Sequence, residues 1–153
     1  MLEAGTTVPH IEGIDQKGDA ITLQQFEGKK VILFFYPKDN TPTCTKEACN
    51  LRDNYQLLQE KGFEVIGVSI DGEKSHQKFI DKFELPYPLI ADTEHKFVEG
   101  YGVWGEKSMY GKKYMGTYRT TFVIDESGTI THVFPKVKSA DHTNQILKEL
   151  EKA

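Results

Sequence analysis

Cysteine is scarce in this chain, with two in 153 residues. That excludes the disulfide framework on which small secreted domains depend. Tryptophan occurs once and methionine three times. No apolar run approaches the roughly 18 residues of a membrane span, so no membrane role is expected. An excess of basic charge is also missing. The 19 Lys and Arg stand against 23 Asp and Glu, a net charge of −4. This argues against a general affinity for nucleic acid or an anionic membrane. The N-terminus, MLEAGTTVPHIEG, has neither the basic start nor the apolar core of a secretory leader. A cytoplasmic setting is expected, where paired thiols tend to be catalytic or sensing. No repeat, low-complexity tract or linker divides the chain, so residues 1–153 are expected to form a single domain.

Both cysteines lie in one stretch, YPKDNTPTCTKEACN, with Cys49 five residues after Cys44. The spacing fits neither the common zinc motifs nor Cys-x-x-Cys. The five histidines, His10, His76, His95, His132 and His142, have no ligand spacing and read as surface residues. No metal or other cofactor is expected.

Hydrophobic patterning predicts an α/β fold. VILFFYP, from Val31 to Pro37, and FEVIGVSI, from Phe63 to Ile70, are continuous apolar runs of β-branched and aromatic residues. Such runs suit strands buried on both faces. Between them a helix is predicted from about residue 43 to 61, with an apolar stripe of Cys44, Ala48, Leu51, Tyr55 and Leu58, ended by Gly62. Strand, helix and strand make a βαβ unit. A second helix is expected over 73–83, with Phe79, Ile80 and Phe83 inward, a short strand near 88–90, and a third helix over 94–101. GVWGEKSMYGKKYMG is predicted as a loop, with Trp104 as packing and Lys112 and Lys113 as solvated surface. RTTFVID and GTITHVF form a hairpin around Ser127-Gly128, and a helix over 140–152 closes the chain. A short hairpin is expected in the N-terminal stretch. The sum is a central mixed sheet flanked by helices.

Cys44 falls in the first turn of the helix after the first buried strand. Free backbone N–H groups and the helix dipole favour negative charge there, and the thiolate is the nucleophilic form. Pro42 suits the helix start and Thr41 the N-cap, with a hydroxyl that can face whatever approaches the sulfur. The alternative is a small core residue on an apolar stripe. Cys49 lies roughly 140° around the helix from Cys44, and ideal geometry sets their Cα atoms roughly 8–9 Å apart. A disulfide needs less than about 7 Å, so the pair joins only if that turn unwinds. Cys49 can equally be an incidental surface thiol.

PKDNTPTC, Pro37 to Cys44, matches Pro-x-x-x-Thr-x-x-Cys and resembles the peroxidatic motif of the peroxiredoxins. With Cys49 five residues on, the chain resembles the bacterioferritin-comigratory protein or PrxQ branch. LRD at 51–53, PLIAD at 88–92, YGVWGEK at 101–107 and RTTFVID at 119–125 resemble the same branch in the same order. The resemblance implies a thioredoxin-like fold and a thiol peroxidase acting on hydrogen peroxide and organic hydroperoxides. It implies that Cys44 attacks the peroxide and becomes a sulfenic acid. Thr41 would bind the peroxide, Pro37 would shield the pocket, and Arg119 would stabilise the thiolate and the breaking O–O bond. Cys49 would resolve the sulfenic acid as an intramolecular disulfide, which thioredoxin or a similar dithiol would reduce. A monomer is expected. Glu47 stands where a family glutamate orients the arginine, although first-turn dipole matching also accounts for it. Arg119 read alone is a strand residue with a snorkelling charge. Two other functions use the same thiols: a redox-sensing module whose disulfide alters a partner interface, and a protein-disulfide oxidoreductase, which lacks its Cys-x-x-Cys here.

Overall fold

The chain opens with a short antiparallel hairpin, β1 (Gly13–Ile14) and β2 (Ala20–Ile21), in a computed structural model that describes residues 1–152. Then comes β3 (Lys30–Phe35), the apolar run anticipated as a central strand, with Val31 to Phe35 all buried. It feeds α1 (Pro42–Asp53) and α2 (Tyr55–Glu60), and the chain returns through β4 (Phe63–Ser69), parallel to β3. The helix α3 (Glu73–Phe83) has the bounds its periodicity predicts. It leads to β5 (Leu89–Ala91), parallel to β4, and to α4 (Lys96–Gly100). A free-standing hairpin follows, β6 (Trp104–Met109) and β7 (Lys112–Thr117). The strands β8 (Thr120–Ile124) and β9 (Ile130–Phe134) complete the sheet, and α5 (His142–Glu151) packs last. The strand order is β5-β4-β3-β8-β9, with β8 antiparallel to both neighbours.

Alternation along β3 sorts the core into two layers. Val31, Leu33 and Phe35 face one layer, with Phe97 and Val98 from α4 and Tyr101 just past its end. Ile32, Phe34 and Tyr36 face the other, with Cys44, Ala48 and Leu51 from α1, Phe79 from α3 and Ile146 from α5. Each fully buried Leu, Ile or Phe contributes about 1.5–3 kcal/mol through loss of apolar surface from water. The α1 stripe that buries Cys44 is therefore part of what holds the helix to the sheet. Among the described residues, no helix is long and apolar enough to cross a membrane.

Four expectations are corrected. The helix predicted over 43–61 is two helices, because Asn54 leaves helical geometry (φ −108°, ψ 10°). Its side-chain Nδ2 donates to the Asn50 carbonyl at 2.8 Å, a local bond that competes with the helical ladder. The predicted loop after α4 is the β6–β7 hairpin. Its turn residues Tyr110 (φ 53°) and Gly111 (φ 79°) both take the left-handed geometry of a two-residue hairpin turn. Two histidines read as surface residues, His76 and His142, are buried, each held by hydrogen bonds to both ring nitrogens. The third and last helices also start two residues later than predicted, at Lys96 and His142.

Candidate active site

The site begins at the C-terminal end of β3. Phe35 pairs with Thr120 in the antiparallel register, and one step further sets Arg119 beside Tyr36, where the chain turns toward α1. Residues 72 positions apart, Arg119 and Glu47, are thereby brought into contact. Pro37 lies half-buried just past β3.

Thr41 is the N-cap residue of α1 and Pro42 opens the helix, where a missing N–H costs nothing. The Thr41 hydroxyl does not cap the helix. It donates to the Lys38 carbonyl at 2.9 Å, which leaves its oxygen lone pairs free to accept. Cys44 follows three residues on, 1% exposed. Arg119 Nη2 donates to its sulfur at 3.2 Å, and Nη1 donates to Glu47 Oε1 at 2.9 Å. One guanidinium thus serves the thiol and the carboxylate at once, using the planar fork that lysine lacks.

Burial works against the Arg119 charge, but Cys44 and Glu47 outweigh it and push its pKa above the usual arginine value. Glu47 is wholly buried, and burial pushes its carboxyl up to about 7 against the pull of Arg119. Its second oxygen, Oε2, has no hydrogen-bond partner and lies 3.6 Å from His142 Nε2. That histidine lies 2.8 Å from the Thr121 hydroxyl and 2.9 Å from Gln145 Oε1. Burial drives its pKa down to about 4, with the Gln145 bond opposing and Arg119 reinforcing, so the ring is neutral near pH 7. Lys107, on β6, donates to the Thr117 carbonyl at 3.0 Å. Burial and then Arg119 lower its pKa, with Cys44 opposing.

Cys49 sits on the same intact helix, half-buried, and both thiols are free. Burial pushes the Cys49 thiol up, with Arg52 opposing and Asp53 reinforcing. The turn that carries it is pinned to α5. Asn50 Oδ1 accepts the Thr143 N–H at 2.8 Å, and Asn50 Nδ2 donates to the Ala140 carbonyl at 3.2 Å.

Of the residues expected to form a site, Cys44, Arg119 and Glu47 are in direct contact, with Thr41 one helical turn below the thiol. Cys49 is held apart by the helix. Lys107, His142 and Asn50 join this neighbourhood without having been singled out. Lys107 had a signal, since it ends the YGVWGEK stretch. His142 and Asn50 had none.

Fold and site together define a thiol-based redox protein, with a buried cysteine under an arginine at the end of a central strand. The AhpC/TSA family model matches residues 4–133. Peroxiredoxin Bcp of Escherichia coli is 41% identical over 150 residues, covering 98% of this chain and 96% of the relative. The crystal structure of a cysteine-to-serine mutant of Xylella fastidiosa PrxQ superposes with a TM-score of 0.92 at 28% identity, covering 99% of this chain and 97% of that one. A structure of the Xanthomonas campestris bacterioferritin comigratory protein, described for its alkyl peroxide reduction activity, superposes at 0.89 with 30% identity and covers 98% of each chain. The chain belongs to the AhpC/TSA family and is a peroxiredoxin of the Bcp/PrxQ kind. The thioredoxin-like fold and thiol-dependent peroxidase activity follow from that membership.

Proposed function

We propose that Cys44 is the peroxidatic thiol and Cys49 its resolving partner, in a cycle that reduces hydrogen peroxide and organic hydroperoxides. The observation that carries this reading is the Arg119 Nη2 contact on the buried Cys44 Sγ at 3.2 Å.

The Cys44 thiolate attacks the terminal peroxide oxygen. An S–O bond forms as the O–O bond breaks, and the bonding pair leaves on the other oxygen. That oxygen takes up a proton and departs as water or alcohol, while Cys44 is left as a sulfenic acid. Arg119 stabilises the thiolate before attack and the charge on the breaking bond during it. The free lone pairs on Thr41 Oγ1 accept the peroxide O–H and fix the line of approach. Pro37 limits water access at the mouth.

Resolution needs α1 to unwind between the two thiols. The Cys49 thiolate then attacks the Cys44 sulfur, an S–S bond forms, and the sulfenic oxygen leaves as water once protonated. A dithiol of the thioredoxin type reduces the disulfide by exchange. Burial disfavours the Cys49 thiolate in the intact helix. Unwinding therefore ionises this thiol more readily as well as bringing it within reach. Because one chain carries both thiols, the cycle is proposed for a monomer of one domain, in the cytoplasm.

The test is the intact mass of the reduced protein, quenched at short times after one equivalent of hydrogen peroxide, under denaturing, non-reducing conditions. Rapid loss of two hydrogens within a monomer mass, abolished by Cys44→Ser, is expected. Oxidation no faster than that of a free cysteine overturns the reading.

A further inference from the structure

On the side of the loop away from Arg119, a second buried polar group holds the segment between β3 and α1. Its centre is Asp39, 7% exposed, five residues before Cys44. Asp39 Oδ1 accepts the Tyr36 hydroxyl at 2.6 Å. Asp39 Oδ2 accepts the Ser75 hydroxyl at 2.8 Å and faces His76 Nδ1 at 2.6 Å. The Asp39 backbone N–H donates to Asp71 Oδ2 at 2.8 Å, and the same oxygen accepts the Ser69 hydroxyl at 2.7 Å. His76 is fully buried, and its other nitrogen, Nε2, lies 2.8 Å from the Ile90 carbonyl.

Both ring nitrogens of His76 are therefore engaged, one by a backbone carbonyl and one by the Asp39 carboxyl group, and every side-chain polar atom of the pair is partnered inside the fold. Asp39, Asp71 and His76 lie close enough to suggest a cation cage, their ligand atoms all within 4.8 Å. Asp39 Oδ1, Asp39 Oδ2 and Asp71 Oδ2 already accept from Tyr36, Ser75, Ser69 and the Asp39 N–H.

The elements joined this way give the cluster a purpose. Ser69 ends β4, Ser75 and His76 lie in the first turn of α3, and Ile90 belongs to β5. All of them converge on the loop that presents Pro37 and Thr41. That loop includes Asn40 in left-handed geometry (φ 58°), a conformation that costs energy in a side-chain-bearing residue and persists only when neighbours enforce it. We propose that Asp39 and His76 are positioning residues for peroxide reduction: their buried, hydrogen-bonded pair fixes the loop that sets Thr41 against the peroxide. The pair also lies upstream of the turn that unwinds, so it is the fixed end of the moving segment. This inference rests on the assignment of Cys44 as the peroxidatic thiol.

The experiment compares wild type with His76→Leu and His76→Asn. The leucine removes both ring nitrogens. The asparagine keeps an N–H close to the place of Nδ1 and should restore the Asp39 contact. Two rates are read on the folded, reduced proteins: reduction of hydrogen peroxide, and alkylation of Cys44 by iodoacetamide, which does not use Thr41. His76→Leu should slow peroxide reduction at least tenfold, His76→Asn should recover most of it, and the alkylation rates should agree within twofold. In wild type, NMR should find the His76 ring protected from exchange with solvent in the reduced and the disulfide-bonded protein, an arm that stands if His76→Leu does not fold. Peroxide and alkylation rates falling together, an unchanged peroxide rate, or a His76 ring that exchanges freely with solvent would each overturn the inference. Peroxide reduction that survives Cys44→Ser defeats instead the assignment beneath it.

Discussion

Asn50 Oδ1 accepts the backbone N–H of Thr143 at 2.8 Å, which ties the turn after Cys49 to the first turn of α5. The Asn50 amide also reaches the Ala140 carbonyl. A free N–H at a helix start is a group that needs a partner, and here the partner comes from the helix that opens in the proposed cycle. Unwinding α1 as far as Asn50 therefore leaves α5 without its cap.

Asn50→Ala should lower global stability by about 1 kcal/mol, the usual worth of such a cap. It should also speed disulfide formation after the first oxidation and reduce the yield of sulfinic acid at high peroxide. Rapid-quench mass spectrometry reads both products. An unchanged ratio of disulfide to sulfinic acid would mean that Asn50 does not govern the opening.

Arg119→Ala should slow peroxide attack by about 100-fold or more, since losing one preorganised donor to developing charge costs about that much. Arg119→Lys should recover little, because an ammonium is a point charge without the fork shared by Cys44 and Glu47. Folding should suffer far less than catalysis, because Glu47 without its arginine can take up a proton. Stopped-flow peroxide kinetics beside urea denaturation separates the two effects, and equal losses in both would sink the assigned role.

Glu47 and His142 make opposite contributions to stability as pH changes. The Glu47 pKa rises from 4.5 to about 7 on folding. The folded state therefore binds more protons between those values, and the stability this adds is complete below about 4.5 and lost as pH rises through 7. The His142 pKa falls from 6.5 to about 4, so its contribution is present above 6.5 and lost as pH falls through 4. Glu47→Gln removes the first trend and leaves the second. The stability difference, wild type minus variant, should decline from pH 4.5 to 7 by on the order of 3 kcal/mol, from about 1.4 kcal/mol per pKa unit. Urea titrations across that window check it, and a flat difference would mean that folding does not raise the Glu47 pKa.

Gly67, in the middle of β4, has no room for a side chain. A Cβ there would lie 2.6 Å from Leu89 Cδ2 and 2.8 Å from Phe34 Cζ. Gly67→Ala should cost about 1–3 kcal/mol by overpacking the layer that also holds Cys44. Thermal unfolding reads this directly, and an unchanged Tm would mean the two side chains move aside freely.

The parts of this fold that were legible in the sequence are those where burial writes a pattern. β3 and β4 are continuous apolar runs because both faces are covered, and α3 has one apolar face because only one is. The β6–β7 hairpin was missed because both its faces meet solvent at Met109, Tyr110 and Met115, so nothing imposes alternation, and its turn is Tyr-Gly instead of Asn-Gly. The break at Asn54 follows from one side-chain bond to the Asn50 carbonyl, which composition does not reveal. At the site, Cys44 and Thr41 were legible as a helix start. The meeting of Arg119 with Glu47 depends on strand register. His76 and His142 are buried because partners distant in sequence satisfy both nitrogens of each ring, and no local pattern records that.

The break at Asn54 has a consequence for how catalysis responds to its surroundings. It divides the segment into α1 and α2, so opening around Cys49 can stop at Asn54 and leave Leu58 in the core. In the proposed cycle each turnover then contains a small, reversible unfolding step that exposes a helix turn and refolds it. Agents that act on folding equilibria should therefore act on flux: osmolytes excluded from backbone would hold the enzyme in its peroxide-reducing form, and low urea would favour disulfide formation.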